Sequence, residues 1–167
     1  MSTALSHHSL EPMMIRLTTP DDLAPVTLLL EATGLFEMEE VEEVADVLSA
    51  HFIRTPENQD LWLTDDKNGP VGVAYAAPER MTKGTWNIYL LAIHPDYQRQ
   101  GRGSALLRHI EQTLAAQGER LLLVETLGIE SFEQVRAFYR KNGFEEEGRI
   151  REFYAAGADK VIFRKAL

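Results

Sequence analysis

The chain has 167 residues, of which 44% are hydrophobic and 26% are charged. This length and composition fit one globular domain with a hydrophobic core, and they exclude intrinsic disorder as the main state. The net charge of −9 argues against nucleic acid as a partner, because proteins hold phosphate backbones with clustered Lys and Arg. The absence of cysteine excludes disulfides, cysteine zinc sites and a cysteine nucleophile, and it is in keeping with a cytoplasmic location.

No apolar run in the sequence is long enough to cross a membrane. The longest stretch without Asp, Glu, Lys or Arg is residues 84–95, whereas a spanning helix needs about 18 apolar residues. We therefore expect no membrane partner. Residues 1–12 lack the apolar segment of a secretory signal, and we predict a flexible N-terminal extension there, followed by one domain at residues 13–167.

Hydrophobic periodicity predicts the elements of the first half of this domain. A weakly alternating strand at Met13–Thr18 leads into Thr19-Pro20-Asp21-Asp22, which is typical of a helix start. Thr can cap the helix, Pro fits its first position, and the acidic residues face the positive end of its dipole. An apolar stripe predicts a second helix over residues 41–52, and a hairpin should follow from strands at Asp60–Thr64 and Val71–Ala77.

The second half of the domain alternates strands and helices. The predicted elements are a strand at Trp86–Ile93, a turn at Gln98–Ser104 that opens a helix ending near Gly118, a strand at Leu121–Glu125, a helix at Ser131–Lys141, and strands at Phe144–Tyr154 and Lys160–Lys165. The element order β-α-α-β-β-β-α-β-α-β-β predicts an α/β domain. Its mixed sheet should be mostly antiparallel, with helices on both faces.

The turn at residues 98–104 is the segment with the clearest chemical meaning. It joins a buried strand to a helix, and its glycines allow successive backbone N–H groups to point outward with the helix dipole behind them, which suits a pyrophosphate. Arg99 and Arg102 add positive charge to an acidic chain. A Gly-Lys-[Ser/Thr] phosphate loop is absent, and Leu106 stands where a dinucleotide fingerprint needs Gly or Ala. A surface loop that merely caps the helix is the alternative.

Two motifs resemble the GCN5-related N-acetyltransferases (GNAT). The turn Gln98-Arg99-Gln100-Gly101-Arg102-Gly103 matches the signature Gln/Arg-x-x-Gly-x-Gly/Ala of that family, and Ala137–Phe144 resembles its Phe-Tyr-x-x-x-Gly-Phe segment. The element order is also that of the family, so the resemblance spans about residues 13–166. Phe132 stands where the family often carries an Asn, which leaves that contact to the cofactor without its usual residue.

The resemblance implies the acyl-CoA N-acyltransferase (GNAT) fold, with acetyl-CoA as co-substrate and an acetyl group moved to a primary amine. In such proteins the amides of the turn hold the pyrophosphate, and the preceding strand lines the pantetheine arm. The residues that this assigns to the cofactor are Leu91, Ala92, Ile93, Arg99, Gln100, Gly101, Arg102, Gly103 and Ser104. The acceptor is a small-molecule or protein amine, and a homodimer is possible.

Direct attack of the amine on bound acetyl-CoA is the simplest route, because the sequence has neither Cys nor a Gly-x-Ser-x-Gly nucleophile elbow. The backbone N–H groups at the end of the strand at Leu90–Ile93 would stabilise the oxyanion. Tyr139 is the candidate general acid, since a phenol with its usual pKa near 10 is protonated at neutral pH, and related enzymes commonly use the Tyr at this position. On residues alone, Phe138 and Tyr139 would be packing aromatics; the resemblance favours catalysis for Tyr139 and leaves Phe138 in the core.

Glu125 is the candidate general base. It ends a buried strand, where partial desolvation would make it a better proton acceptor, and a solvated Glu at the strand end is the alternative. His94 is a weaker candidate base, since His94-Pro95 is also a common way to leave a strand. The five histidines show no metal-ligand spacing, and we predict no metal.

Residues 37–46 contain a run of acidic side chains. A solvated helix face is the ordinary interpretation, and an acidic lip that attracts a cationic amine is the other. The carboxylates are Glu37, Glu39, Glu40, Glu42, Glu43 and Asp46. The predicted function is an N-acetyltransferase; a catalytically inactive CoA-binding regulatory domain is the alternative, and an interaction domain without a ligand is a third.

Overall fold

Seven strands form one sheet with four helices packed on it, in the part of the chain that the computed structural model describes, residues 13–53, 55 and 59–167. The strands are β1 (Met14–Leu17), β2 (Leu61–Asp66), β3 (Pro70–Pro78), β4 (Thr85–Ile93), β5 (Leu121–Leu127), β6 (Glu145–Ala155) and β7 (Ala158–Ala166). The helices are α1 (Leu23–Thr33), α2 (Met38–Phe52), α3 (Arg102–Ala116) and α4 (Glu133–Lys141). The predicted extension at residues 1–12 lies outside the described residues.

The sheet has the order β1-β2-β3-β4-β5-β7-β6, and β4 and β5 form its parallel pair while the other neighbours are antiparallel. The predicted fold class, a mostly antiparallel mixed sheet with helices on both faces, is confirmed. The predicted helix start at Thr19 is a 3₁₀ turn at Pro20–Asp22 that leads into α1. None of the described helices is long and apolar enough to cross a membrane.

Each face of the sheet carries its own hydrophobic core. Helices α3 and α4 pack on one face, through residues such as Leu106, Ile110 and Tyr139. Helices α1 and α2 pack on the other, with Leu30 and Leu48 fully buried against the sheet. Side chains alternate between the two faces along each strand, so the position of a residue in its strand decides which core it joins.

The alternation of side chains between the two faces of the sheet is interrupted in β4 at Tyr89. Leu90 pairs with Tyr75 and Ile88 with Ala76, so Tyr89 is an extra residue, a β-bulge. As a result Ile88 belongs to the core under α3 and α4, whereas Leu90 belongs to the core under α1 and α2.

The bulge coincides with the place where the sheet opens. The β4–β5 ladder consists of four pairs, which join residues 85–88 to residues 121–124. Beyond it, β4 continues along β3 and β5 continues along β7. A gap therefore separates residues 89–93 of β4 from residues 125–127 of β5, and it holds the candidate site.

Candidate active site

The open edge of β4 offers backbone groups to the gap. The N–H of His94 donates to the carbonyl of Val71 at 2.8 Å, which fixes the hydrogen-bonding alternation along this end of β4. The N–H and C=O groups of Leu91 and Ile93 consequently point away from β3, toward the gap. The side-chain Nε2 of Gln98 donates to the Ile93 carbonyl at 3.0 Å, which agrees with this orientation.

The turn after β4 uses its two glycines in different ways. Gly101 has a φ of +77° and is the N-cap of α3, and Arg99 just before it also has a positive φ of 59°. No atom lies within 4 Å of a Cβ built on Gly101, so its requirement is purely conformational. Gly103 has an ordinary φ, but a Cβ there would stand 3.1 Å from Cζ of Phe138. A side chain at Gly103 would therefore require the Phe138 ring to shift by a few tenths of an ångström, because α3 and α4 meet closely at this point.

A cleft of about 570 Å³ connects the open edge of β4 with this turn. It is lined by eight of the residues predicted to bind the cofactor, Leu91, Ala92, Ile93, Arg99, Gly101, Arg102, Gly103 and Ser104. The ninth, Gln100, does not line the cleft, and its amide donates to the Asp96 carbonyl at 3.3 Å.

The charge expected from Arg102 is not offered to the cleft. Its guanidinium donates to both carboxylate oxygens of the fully buried Asp65, at 2.9 and 2.8 Å, and is itself 8% exposed. This ion pair ties the first turn of α3 to β2. Arg102 therefore contributes its backbone and a fixed geometry, and the exposed Arg99 is the cation of the turn.

The far wall of the cleft comes from elements that the motifs did not identify. Phe138 was predicted to belong to the core, yet it both packs against the core and lines the cleft. Val135, Phe138 and Tyr139 recur at helical spacing on α4, and this apolar pattern in the sequence could have predicted the wall. The other lining residues that were not predicted to bind the cofactor are Thr33, Leu35, Tyr97, Gln98, Gln134, Val135 and Lys141.

Tyr139 lies at the inner end of this wall. It is 6% exposed, and its ring is packed against Phe138, Phe144 and Phe163 with centroid distances of 5.3, 5.7 and 6.0 Å. Burial raises its pKa above the usual value for a phenol. Its hydroxyl donates to no residue that the structure describes. The side chain is thus both a core aromatic and a protonated phenol at the cleft.

Glu125 lies on the opposite face of the sheet. Its neighbours Leu122 and Val124 point to the α3 and α4 side, so Glu125 points to the α1 and α2 side. It does not line the cleft. Its side chain is 33% exposed, and Oε2 lies 2.9 Å from Nζ of Lys160. Its carboxylate thus has a cationic partner, which was not predicted from the sequence.

Tyr89 stands near Glu125 on that face. Its hydroxyl donates to Oε1 of Glu79 at 3.0 Å, and Nδ2 of Asn87 donates to the same oxygen at 2.9 Å. Partial burial, together with the bond to Glu79 and the charge of Glu125, raises the pKa of Tyr89 to about 12. Tyr139 thus lines the cleft on the side of α3 and α4, whereas Glu125 lies on the other face of the sheet, just beyond the last β4–β5 pair.

The remaining candidates lie outside the cleft lining. His94 caps a short turn, and its Nδ1 accepts the N–H of Asp96 at 3.2 Å. Phe132 precedes α4 and does not line the cleft. The acidic side chains of residues 37–46 are all exposed, at the start of α2. Among the described residues, no three His, Cys, Asp or Glu side chains are placed to hold a metal ion.

A family model described as an acetyltransferase (GNAT) domain matches residues 57–146, more than half of the chain. The chain belongs to this family. A GNAT-family protein from Desulfovibrio desulfuricans superimposes with a TM-score of 0.88 at 30% identity, and the alignment covers 93% of this chain and 99% of the other. An aminoglycoside 6′-N-acetyltransferase complexed with coenzyme A gives a TM-score of 0.73 at 16% identity, over 92% and 97% of the two chains, which shows the shared fold.

The curated relatives of this GNAT domain are matched over shorter segments. The ribosomal protein bS18-alanine N-acetyltransferase of Escherichia coli K12 is 37% identical over 67 residues, which cover 40% of this chain and 44% of that enzyme. The chain thus spans less than half the length of the curated relatives that it matches, and 8% of one of them.

Proposed function

We propose that this GNAT domain is an acetyl-CoA-dependent N-acetyltransferase that moves the acetyl group directly to a primary amine. The observation that carries the proposal is the continuous cleft between the turn before α3 and the gap in the sheet. The turn presents backbone N–H groups and Arg99 for a pyrophosphate, and the open edge of β4 presents the N–H and C=O groups of Leu91 and the N–H of Ile93 for an amide-bearing arm. Phe138 and Val135 give the arm an apolar wall.

The two faces of the sheet divide the roles in this proposal. The thioester reaches the gap from the side of α3 and α4, and the amine approaches from the side of α1 and α2. The amine nitrogen forms a bond to the acetyl carbon, the carbon–sulfur bond breaks, and the backbone N–H groups of β4 stabilise the oxyanion between these events. Tyr139 gives a proton to the departing thiolate. Glu125 takes the proton that the amine loses, directly or through water.

Lys160 has to change partner for Glu125 to act as the base. Oε2 of Glu125 lies 2.9 Å from Nζ of Lys160, so the ammonium occupies the carboxylate that would have to take the proton. The acceptor must therefore either displace Lys160 from Glu125 or give Lys160 another anion. Glu125 can therefore take a proton from the amine only when the bound acceptor has separated it from Lys160 or has given Lys160 a second anionic partner.

The alternative is a CoA-binding regulatory domain without catalysis, and it would bind CoA at the same turn and in the same cleft. Isothermal titration calorimetry with acetyl-CoA tests what both hypotheses have in common, and we expect binding with one site per chain. Release of free thiol from acetyl-CoA in the presence of a panel of primary amines separates the two. Binding without thiol release with any amine would favour the regulatory domain, and absence of binding would contradict both hypotheses.

A further inference from the structure

The ion pair between Glu125 and Lys160 stands at the apex of the gap. Glu125 is the first residue of β5 beyond the last pair that β5 makes with β4. In the β5–β7 ladder Glu125 lies opposite Ile162 and Leu127 lies opposite Lys160, so the two charged side chains are diagonal neighbours on one face. That face is the one from which the acceptor amine approaches in the proposed function.

Lys160 is held in place far more firmly than an ordinary surface lysine. Its side chain is 12% exposed, with Nζ 2.9 Å from Oε2 of Glu125. The same Nζ lies 3.6 Å from the ring centroid of Phe153 and 5.9 Å from that of Tyr154. A carboxylate on one side and an aromatic face on another are favourable partners for an ammonium group. The site consequently presents a fixed positive charge directly beside a fixed negative one.

A fixed pair of opposite charges discriminates between classes of amine. An acceptor with an ammonium as its only charge competes with Lys160 for Glu125 and is repelled by Lys160 at short range. An acceptor that also carries a carboxylate can place its ammonium beside Glu125 and its carboxylate beside Lys160. The four charges then alternate, and Glu125 is left facing the amine that it has to deprotonate.

We propose that the acceptor is a zwitterion, a primary amine with a neighbouring carboxylate of the amino-acid kind, and that Lys160 binds that carboxylate. The inference rests on the proposed N-acetyltransferase function and adds its substrate class. Three half-exposed aromatic side chains surround the ion pair, at 54%, 51% and 45% exposure for Tyr89, Phe153 and Tyr154. They offer an apolar surface to the rest of the acceptor, which favours an amino acid with an apolar or aromatic side chain.

The test compares three acceptors that differ at one group: phenylalanine, phenylalaninamide and phenethylamine. At saturating acetyl-CoA and one pH, we expect kcat/KM for phenylalanine to exceed both others at least tenfold. The amino group of phenylalaninamide is less basic than that of phenylalanine, so a larger fraction of it is neutral at the same pH. A difference in protonation alone would therefore favour phenylalaninamide and cannot produce the expected order. Equal or better use of the amide or the amine by the wild-type protein would overturn the inference, and this measurement needs no variant.

The variant Lys160→Met then assigns the preference to one side chain. It keeps the length and apolar stem of the lysine and removes its charge, and we expect the ratio of phenylalanine to phenylalaninamide to fall toward one. Lys83→Met is the matched control, because Lys83 is exposed in the β3–β4 turn at the other end of the strands, and this variant should keep the wild-type ratio. An unchanged ratio in Lys160→Met would contradict the role of Lys160. Failure to bind acetyl-CoA at all would instead contradict the proposed function.

Discussion

Tyr139 combines two properties that usually belong to different residues. It is packed among aromatic rings like a core side chain, and it also lines the cleft. Because burial raises its pKa, the phenol stays protonated over the whole physiological range. It can therefore act as a proton donor in the proposed reaction and not as a base.

Removing only this hydroxyl tests the proposed acid. We expect Tyr139→Phe to lower kcat by about 10²–10⁴-fold, the usual range for proton-transfer catalysis, while the acetyl-CoA affinity changes little because the ring remains. Steady-state kinetics and calorimetry measure the two quantities. Tyr97→Phe is the control, since Tyr97 also lines the cleft. A kcat equal to that of the wild type would leave Tyr139 with a packing role alone.

Glu125 is expected to respond differently because its role depends on pH. The charged and titratable groups around it are Lys160, Tyr89 and Tyr154. Glu125→Gln keeps the size of the side chain but cannot accept a proton, so kcat/KM should fall most near neutral pH and recover in part at high pH, where the amine is already neutral. The pH profile of kcat/KM measures this. A uniform loss at every pH would indicate that Glu125 only positions the acceptor.

At the scale of elements, the turn and the first residues of α3 depend on close packing with α4. Gly103 is the second residue of α3, where a helix tolerates Pro, but Pro removes one N–H from the turn and brings ring atoms toward Phe138. We expect Gly103→Pro to abolish acetyl-CoA binding in calorimetry while circular dichroism still shows a folded domain. Gly148→Ala in β6 is the control, because no atom lies within 4 Å of its Cβ. Wild-type affinity in Gly103→Pro would exclude the turn as the pyrophosphate site.

The start of α1 is joined to the sheet by Arg16. Its guanidinium donates to both oxygens of Asp22, at 2.7 and 2.9 Å, and to Asp66 at 3.0 Å. The bonds from Arg16 and from the N–H of Thr19 outweigh burial and hold the pKa of Asp22 below its usual value. This carboxylate therefore stabilises the fold above the unfolded-state pKa near 3.9, and its contribution is lost as the pH falls through the lower folded-state pKa.

Asp22→Asn should consequently destabilise the protein by about 2 kcal/mol at pH 7, since it weakens charge-assisted hydrogen bonds. The difference from the wild type should shrink as the pH falls below about 4. Urea unfolding at pH 7 and pH 3 measures both free energies. Asp21→Asn, one residue earlier and exposed, is the control. A destabilisation that is the same at both pH values would mean that the charge of Asp22 is not its cause.

At the scale of the whole molecule, local sequence patterns predicted the helices and strands, whereas pairing between distant segments determines which side chains meet at the site. Periodicity located β4, but the bulge at Tyr89 arises from its register with β3. The partner of Glu125 is set by the register of β5 with β7, and the partner of Arg102 lies 37 residues away on β2. A motif names the residues of the turn because they are neighbours in sequence. No motif reports which charges meet across a sheet.

The short ladder between β4 and β5 has a consequence for the chain as well as for the sheet. The exposed Gly118 lies between α3 and β5, so a cut after it would separate β1–β4 with α1–α3 from β5–β7 with α4. The two fragments would share four strand pairs and the apolar core between them, and the cleft is lined by both, since Gly103 falls in one and Tyr139 in the other. A ligand that fills the cleft should therefore hold the fragments together. Co-expressed fragments that associate on size-exclusion chromatography only with acetyl-CoA present would make this domain a split reporter for that metabolite.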